Sequence, residues 1–558
     1  MMRNNFWKGG AALAFAALLS VGMTACRSEG SKACAHGETE TVTLIEATCT
    51  EDGKTKTVCK DCKVILSETE VKALGHDFGE WRETSEASCS SYGVLERTCA
   101  RGCKEYDSVD KLTHTTGEDG KCTVCTQTVY SLGLKYTLSD DGEYYSVALG
   151  GATDEDIVIP AVWENKPVRE IAAEGFAYSN RMKSVTVPES VEKISSGAFN
   201  GSNALTTVYW NARACADFAD RNWAFLRSDT AAELHVVFGR NVERIPARMF
   251  FPLYNDTSRV PNVTEVTFEE GSKLQSVGDY AFYRTPISEI SLPEGLKSIG
   301  EYAFAHTGLT SVRAVGLSEV GDFAFCNNKE LVSVELGGDV DSFGTNVFDY
   351  CIGLQTADFS KLRGRLGASL FKNCYELTSA TFAEGVTGIP ERAFYGCKRL
   401  QSAELPDSVL EIGAETFVGC ENVRSITIGK SVEKIGNDAF SGLVNVTEVY
   451  YNAVSVADFG NGNGVFLSLG KNTVGVRFVL GEEVTRLPAR FFFPSADSGE
   501  LPNISEIGLN SALSVIGEYA FFGADCTVSY AGTQTQWQAV TVGDCNDGLA
   551  NVTCKGGN

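Results

Sequence analysis

Histidine is scarce, at five residues in 558, and basic residues are outnumbered, with 48 Lys and Arg against 72 Asp and Glu and a formal net charge of -24. Phosphate recognition needs a basic footprint, so this balance excludes a nucleic-acid partner. Beyond the N-terminal segment no run of 18 apolar residues occurs, which leaves no candidate for a bilayer-spanning helix. Neither a G-x-S-x-G elbow nor a phosphate loop is present, and beyond residue 114 the only histidines are His235 and His306. The many carboxylates are spread along the chain instead of forming a marked pair, so the protein is read as non-catalytic.

What is present describes an ordered chain with many turns: 43% hydrophobic residues, 22% charged residues and 56 glycines. A length of 558 residues exceeds what one core supports, so several modules or a repeat array are expected. Nineteen cysteines are unevenly placed along it.

Arg3 and Lys8 precede an apolar run from Ala11 to Val21, and small residues lead to Cys26. This is the pattern of an export signal over residues 1–25. Met23-Thr24-Ala25-Cys26 resembles a bacterial lipobox, which implies that Cys26 becomes a lipidated N-terminus and tethers the protein to a membrane face outside the cytoplasm. The alternative is an ordinary signal peptide followed by a chance cysteine.

Residues 26–127 hold three of the five histidines in a repeating pattern. EATCTEDGKTKTVCKDC is answered 40 residues later by EASCSSYGVLERTCARGC, so the segment is an internal duplication. The first unit offers His36, Cys49, Cys59 and Cys62; the second offers His76, Cys89, Cys99 and Cys103; a shortened third offers His114, Cys122 and Cys125, with Cys34 as its distant fourth. One His with three Cys, two of them close together, suits a closed tetrahedral zinc site of the structural kind. Such a metal serves small domains that lack an apolar core, and a closed site leaves no position for catalytic water. Disulfides remain the competing reading in an exported protein, although nine cysteines cannot all pair inside the module; free thiols are the third.

From residue 129 onward one phrase recurs. Phe325, Phe348, Phe371, Phe394, Phe417 and Phe440 step by 23, as do Phe176 and Phe199. Five residues before the anchors sits a partner such as Ile194, Val277, Ile299, Val320, Phe343, Leu366, Ile389, Ile412 or Ile435. Strand-like phrases such as LVSVEL and VRSITI alternate apolar and polar residues, and the AF phrase reads as a short helical turn. A unit of about 23 residues cannot bury its apolar edge alone, so the units are expected to stack as an α/β solenoid of strand-turn-short helix repeats. SVTVPESVEKISSGAFNGS, SAELPDSVLEIGAETFVGC and SITIGKSVEKIGNDAFSGL resemble the BspA-type leucine-rich repeats of bacterial surface proteins, and LGHDFGEW resembles cysteine-rich repeats that accompany such arrays. The resemblance implies adhesion to host or neighbouring-cell proteins for some members. The array is placed at residues 129–525, with a cap over 526–558 in which Cys526, Cys545 and Cys554 are candidates for a disulfide. Cys351, Cys374, Cys397 and Cys420, each three residues after a Phe, are read as buried free thiols.

The period breaks twice, between Phe199 and Phe250 and between Phe440 and Phe491, each a step of 51. The two breaks are copies, since TTVYWNARACADF is answered by TEVYYNAVSVADF 241 residues later. Read as irregular insertions, they make Tyr209, Trp210, Trp223, Phe225, Tyr450 and Tyr451 candidates for a binding surface, together with Trp537 in a related C-terminal phrase. The competing reading places these aromatics in the core. The sequence thus points to a non-catalytic surface lipoprotein that binds extracellular or cell-surface proteins, with a glycan or cell-wall module, or an architectural envelope protein, as alternatives.

Overall fold

The computed structural model describes residues 38–61, 63–86, 93–109, 121–122, 129–228, 231–252, 261–494 and 500–556. These fall into two compact units, divided between Thr113 and His114. Cys26, His36, Cys62, Cys89, His114 and Cys125 lie outside the described residues.

The first unit contains two three-stranded antiparallel sheets, one per copy of the duplication. β1 (Thr39–Ile45), β2 (Gly53–Cys59) and β3 (Ile65–Val71) form one; β4 (Arg82–Ser85), β5 (Gly93–Thr98) and β6 (Lys104–Val109) form the other. Among its described residues the buried apolar set is Cys49, Val58, Cys59 and Cys99. Hydrophobic burial stabilises by roughly 25 cal/mol per Å², so a unit whose interior is mostly thiol has little of that term to draw on. The LGHDFGEW phrase lashes the two copies together. Leu74 donates its amide to Thr48 at 2.8 Å, Gly79 to Thr98 at 3.1 Å, and Ala100 donates to Asp77 at 2.9 Å. The Arg97 guanidinium lies 4.6 Å from the Phe78 ring and 4.5 Å from the Trp81 ring.

In the second unit the strand phrases form parallel ladders in which equivalent residues pair without stagger, as in Ser333 with Thr356 and Ser379 with Ser402. The residues five before each Phe make a second ladder of two-residue strands, including Ser276–Val277, Ser298–Ile299 and Glu319–Val320. Along each longer strand the period of two turns one side chain inward and the next outward. The inward set joins one continuous apolar core that runs from Leu134 to Val540.

The anchors stack as the period demands. From Phe176 to Phe440, and on to Phe466, neighbouring rings have centroids 5.0 to 5.7 Å apart. Phe225 and Phe466 belong to this stack. The segments read as irregular insertions are therefore lengthened repeats, with a Phe rung in the middle of each. At the far side of the second segment Phe492, not Phe491, takes the rung, because its amide donates to Ala520 as that of Phe250 donates to Ala281.

The AF phrase is not a helix. It is a pair of turns, and the described array has a single α-helix, α1 (Gln534–Gln538), beside one short 3-10 turn. The residue two before each Phe holds a left-handed φ, from Glu174 (51°) through Tyr302 (52°) to Tyr519 (57°), and many residues two after it do the same. Left-handed residues at alternate positions cannot continue a right-handed helix. They turn the amides at positions -2, 0 and +2 toward the next repeat. Thus Tyr302, Phe304 and His306 donate to Asp322, Ala324 and Cys326 at 3.0, 2.8 and 2.9 Å. The phrase pairs across repeats like a strand, and its orphan amides are satisfied there instead of within a helix.

Candidate functional site

The strand alternation sorts the candidate aromatics. In Thr207–Trp210 and Glu448–Tyr451 the burial pattern is the same, so Tyr209 and Tyr450 point outward with 43% and 37% of their surface exposed. Trp210 and Tyr451 point inward and are fully buried. Those two belong to the core, and the reading that placed them on a binding surface is corrected. Tyr450 donates to Glu448 at 2.9 Å. Trp223 is half-buried two residues before Phe225, and Trp537 packs on Tyr530 with centroids 5.3 Å apart.

A surface of which the sequence reading named only Trp223 runs along the turn edge. The position two before each Phe is occupied in successive repeats by Trp223, Arg248, Tyr280, Tyr302 and Phe323. Tyr280 stacks on Tyr302 at 5.0 Å, and Tyr302 on Phe323 at 4.7 Å with 8° between planes. Beside them Phe251 stacks on Tyr283 at 5.5 Å, and Tyr283 meets His306 edge-on. The Arg248 guanidinium sits 5.7 Å from the Tyr280 ring and that of Arg284 5.4 Å from the Tyr283 ring. Burial pushes the Tyr302 hydroxyl above its ordinary pKa and holds that of His306 below the ordinary imidazole value. The duplicated block repeats the cluster: Arg490 lies 5.5 Å from Tyr519, Phe493 meets Tyr519 and Phe522, and Phe522 is 39% exposed. Each of the column's aromatics holds a positive φ, where a bulky residue is an outlier and glycine is the unstrained choice. Gly197 and Gly464 show that the position accepts glycine.

Elsewhere the parallel ladder is divided between Ser402–Glu404 and Ser425–Ile428. A cleft of about 650 Å³ opens there, with Phe417, Ile426 and Phe440 on its apolar side and Asp407, Asn452 and Glu482 among its polar lining.

The cysteines after the anchors are core. Cys351, Cys374, Cys397 and Cys420 are fully buried, and each thiol donates to the carbonyl of the preceding repeat's Phe at 3.1 to 3.2 Å. Ser202 does the same for Phe176 at 2.6 Å, and Asn328 for Phe304 at 2.9 Å. Burial raises all four thiol pKa values, which removes the thiolate needed for reactivity. Cys526 and Cys554 are half-buried and Cys545 exposed, all three as free thiols.

In the first unit the ligand atoms of Cys49, His76, Cys99 and Cys103 lie within 4.8 Å of one another, a group able to hold a metal ion. The grouping differs from the sequence reading, which kept each copy's ligands together. Cys49 of the first copy joins His76, Cys99 and Cys103 of the second, and Cys59 is buried at the end of β2 outside the group. Cys122 is buried in the second unit. The Arg101 backbone amide, then that of Asp77, with further help from His76 and Cys49, pulls the Cys99 thiol down to about 6. The Cys103 thiol is raised, first by its contact with Cys49. Arg101 Nε donates to Cys49 Sγ at 3.1 Å.

No helix among the described residues is long and apolar enough to cross a membrane. No curated protein matches the chain. Solved structures with a similar trace include a leucine-rich repeat protein from Bacteroides ovatus, 18% identical over 71% of this chain and 98% of that one, with a TM-score of 0.33. The pneumococcal vaccine antigen PcpA is 14% identical over 76% of this chain and 98% of its own, with a TM-score of 0.31. A leucine-rich cell surface protein from Faecalibacterium prausnitzii is 17% identical over 77% and 98%, with a TM-score of 0.28. The family described as BspA type leucine rich repeat region matches in six copies across residues 161–253, 257–374 and 364–462, more than half of the chain, and the protein belongs to that family.

Proposed function

We propose that this is a non-catalytic surface lipoprotein, tethered outside the cytoplasm through Cys26, whose repeat array binds extracellular or cell-surface proteins. The Cys/His unit is read as a zinc-held spacer between lipid and array. The observation that carries the binding reading is the aromatic and arginine strip from Trp223 through Arg248, Tyr280 and Tyr302 to Phe323. Aromatic and arginine side chains dominate protein binding energy. Here they occupy backbone positions that cost about 1 kcal/mol or more each for a non-glycine residue, and the arginine-on-tyrosine contact with a phenylalanine beside it recurs in the second copy of the block. Glycan binding is the second reading, favoured by the cleft whose lining combines Phe417 with Asp407, Asn452 and Glu482.

The test is a binding screen of the full chain against extracellular-matrix proteins, cell-surface proteins and a glycan array. Saturable binding to proteins, weakened by added salt because the chain carries a net charge of -24, supports the main reading. Hits confined to glycans replace it with the second, and silence in every arm leaves the architectural role.

A further inference from the structure

We propose that Cys49, His76, Cys99 and Cys103 form one tetrahedral zinc site whose ligands come from both copies of the duplicated unit. The metal then stands in for the missing core between the sheet β1–β3 and the sheet β4–β6. This inference rests on the zinc reading of the Cys/His unit and goes further, by naming the ligand set and what it joins.

The spacing of the sulfurs is that of a metal site. Zinc–thiolate bonds of about 2.3 Å in tetrahedral geometry put the sulfurs about 3.8 Å apart. Cys49 and Cys99 stand 3.8 Å apart, and Cys103 and Cys49 3.5 Å, far beyond the roughly 2 Å of a bonded pair. Three thiols cannot pair off among themselves, whereas three thiolates and an imidazole complete a closed structural site. Backbone geometry presents them: Cys99 and Cys103 close one turn, with the Cys99 amide donating to the Cys103 carbonyl at 2.7 Å and Gly102 at φ 89°. His76 comes from the phrase that is hydrogen-bonded to both copies, its ring stacked on Phe78 at 4.8 Å. Cys49 reaches the site from the turn between β1 and β2. Arg101 supports it from outside, with one nitrogen on Cys49 Sγ and another on the Gly75 carbonyl, the outer-shell arrangement that fixes metal-bound sulfur.

The experiment measures zinc per chain in the purified full-length protein and in Cys49→Ser, Cys99→Ser, the double variant and Cys351→Ser. Each single variant in the first unit is expected to lose about one equivalent. The double variant loses no more than either single, because both ligands serve one ion, and Cys351→Ser loses none. Additive loss in the double variant, or full zinc retention in Cys49→Ser, overturns the shared site while leaving zinc in the unit. A wild-type chain free of zinc, with Cys49 linked to Cys99 or Cys103 by mass spectrometry, overturns both. Should the serine variants misfold, cobalt(II) titration of wild type and Cys49→His decides the matter. A shared site keeps tetrahedral cobalt in Cys49→His with a weaker thiolate charge-transfer band, and an unchanged band contradicts it.

Discussion

Cys397 illustrates how much of the array is decided by single side chains. Its thiol caps the Phe371 carbonyl inside the core, and Ser202 performs the same task for Phe176 eight repeats earlier. Cys397→Ser should therefore cost little, whereas Cys397→Ala removes one of the two hydrogen bonds that the Phe371 carbonyl accepts, the other coming from the Cys374 amide at 3.1 Å, and should cost about 1 kcal/mol, a difference read from denaturant midpoints. Phe304, stacked between Phe282 and Phe325, should cost about 3–5 kcal/mol when cut to alanine. Trp210→Ala should destabilise similarly, while Tyr209→Ala, one residue away on the outer face, should leave thermal melting nearly unchanged. That contrast was legible in the alternation of TVYW. The partner of Cys49 was much harder to read, because two similar copies offer the same kind of ligand within and between units. One signal did exist: the shortened third unit has its histidine and cysteine pair but no lone cysteine, as expected if lone cysteines are lent forward.

At the level of the element, the turn phrase departed furthest from its sequence. Apolar residues spaced as in GAF and DAF suit a helix, and φ is not written in side-chain polarity. Glycine at two of these positions and asparagine at another hinted at left-handed backbone, but tyrosine, arginine and glutamate at the same place concealed it. The inter-repeat amide bonds, available only once neighbours stack, overrule local propensity. Asp438, at φ 56°, gives a test. Burial and the nearby charge of Glu415 raise its carboxyl pKa. A carboxyl raised in the folded state helps stability fully below its unfolded pKa and loses that help as pH rises through the folded value. Asp438→Gly should thus raise stability at neutral pH, by up to about 1 kcal/mol from relief of the left-handed residue. The advantage should shrink as the pH falls through the raised folded value toward the ordinary aspartate value and stay constant below it, and melting curves across pH would show it. A lower midpoint at neutral pH contradicts the account of the turn.

For the molecule as a whole, the 23-residue period was enough to give the ladders and the continuous core, since the hydrophobic pattern repeats wherever the rungs do. The two segments with longer steps escaped that reading because Phe225 and Phe466 follow their predecessors by 26 residues. The strip on the turn edge escaped it because aromatics there look like further core until the backbone turns them outward. With zinc held as proposed, the two units rest on different terms, metal ligation in one and apolar burial in the other. Chelation of the full chain should speed hydrogen exchange across residues 38–109 and leave residues 129–556 protected; equal loss in both would contradict this.

The proposed binding site of the molecule is the strip on its turn edge. Its most direct measurement compares the affinity of the full chain for its strongest protein hit with that of the Tyr280→Ala/Tyr302→Ala variant, with Tyr209→Ala as the sheet-face control. A loss of two hot-spot aromatics should weaken binding at least about thirtyfold, equivalent to roughly 2 kcal/mol, while the variant's melting transition stays cooperative and Tyr209→Ala binds as wild type. Undiminished binding by the double variant, with loss on Tyr209→Ala, would move the site to the sheet face and contradict the account.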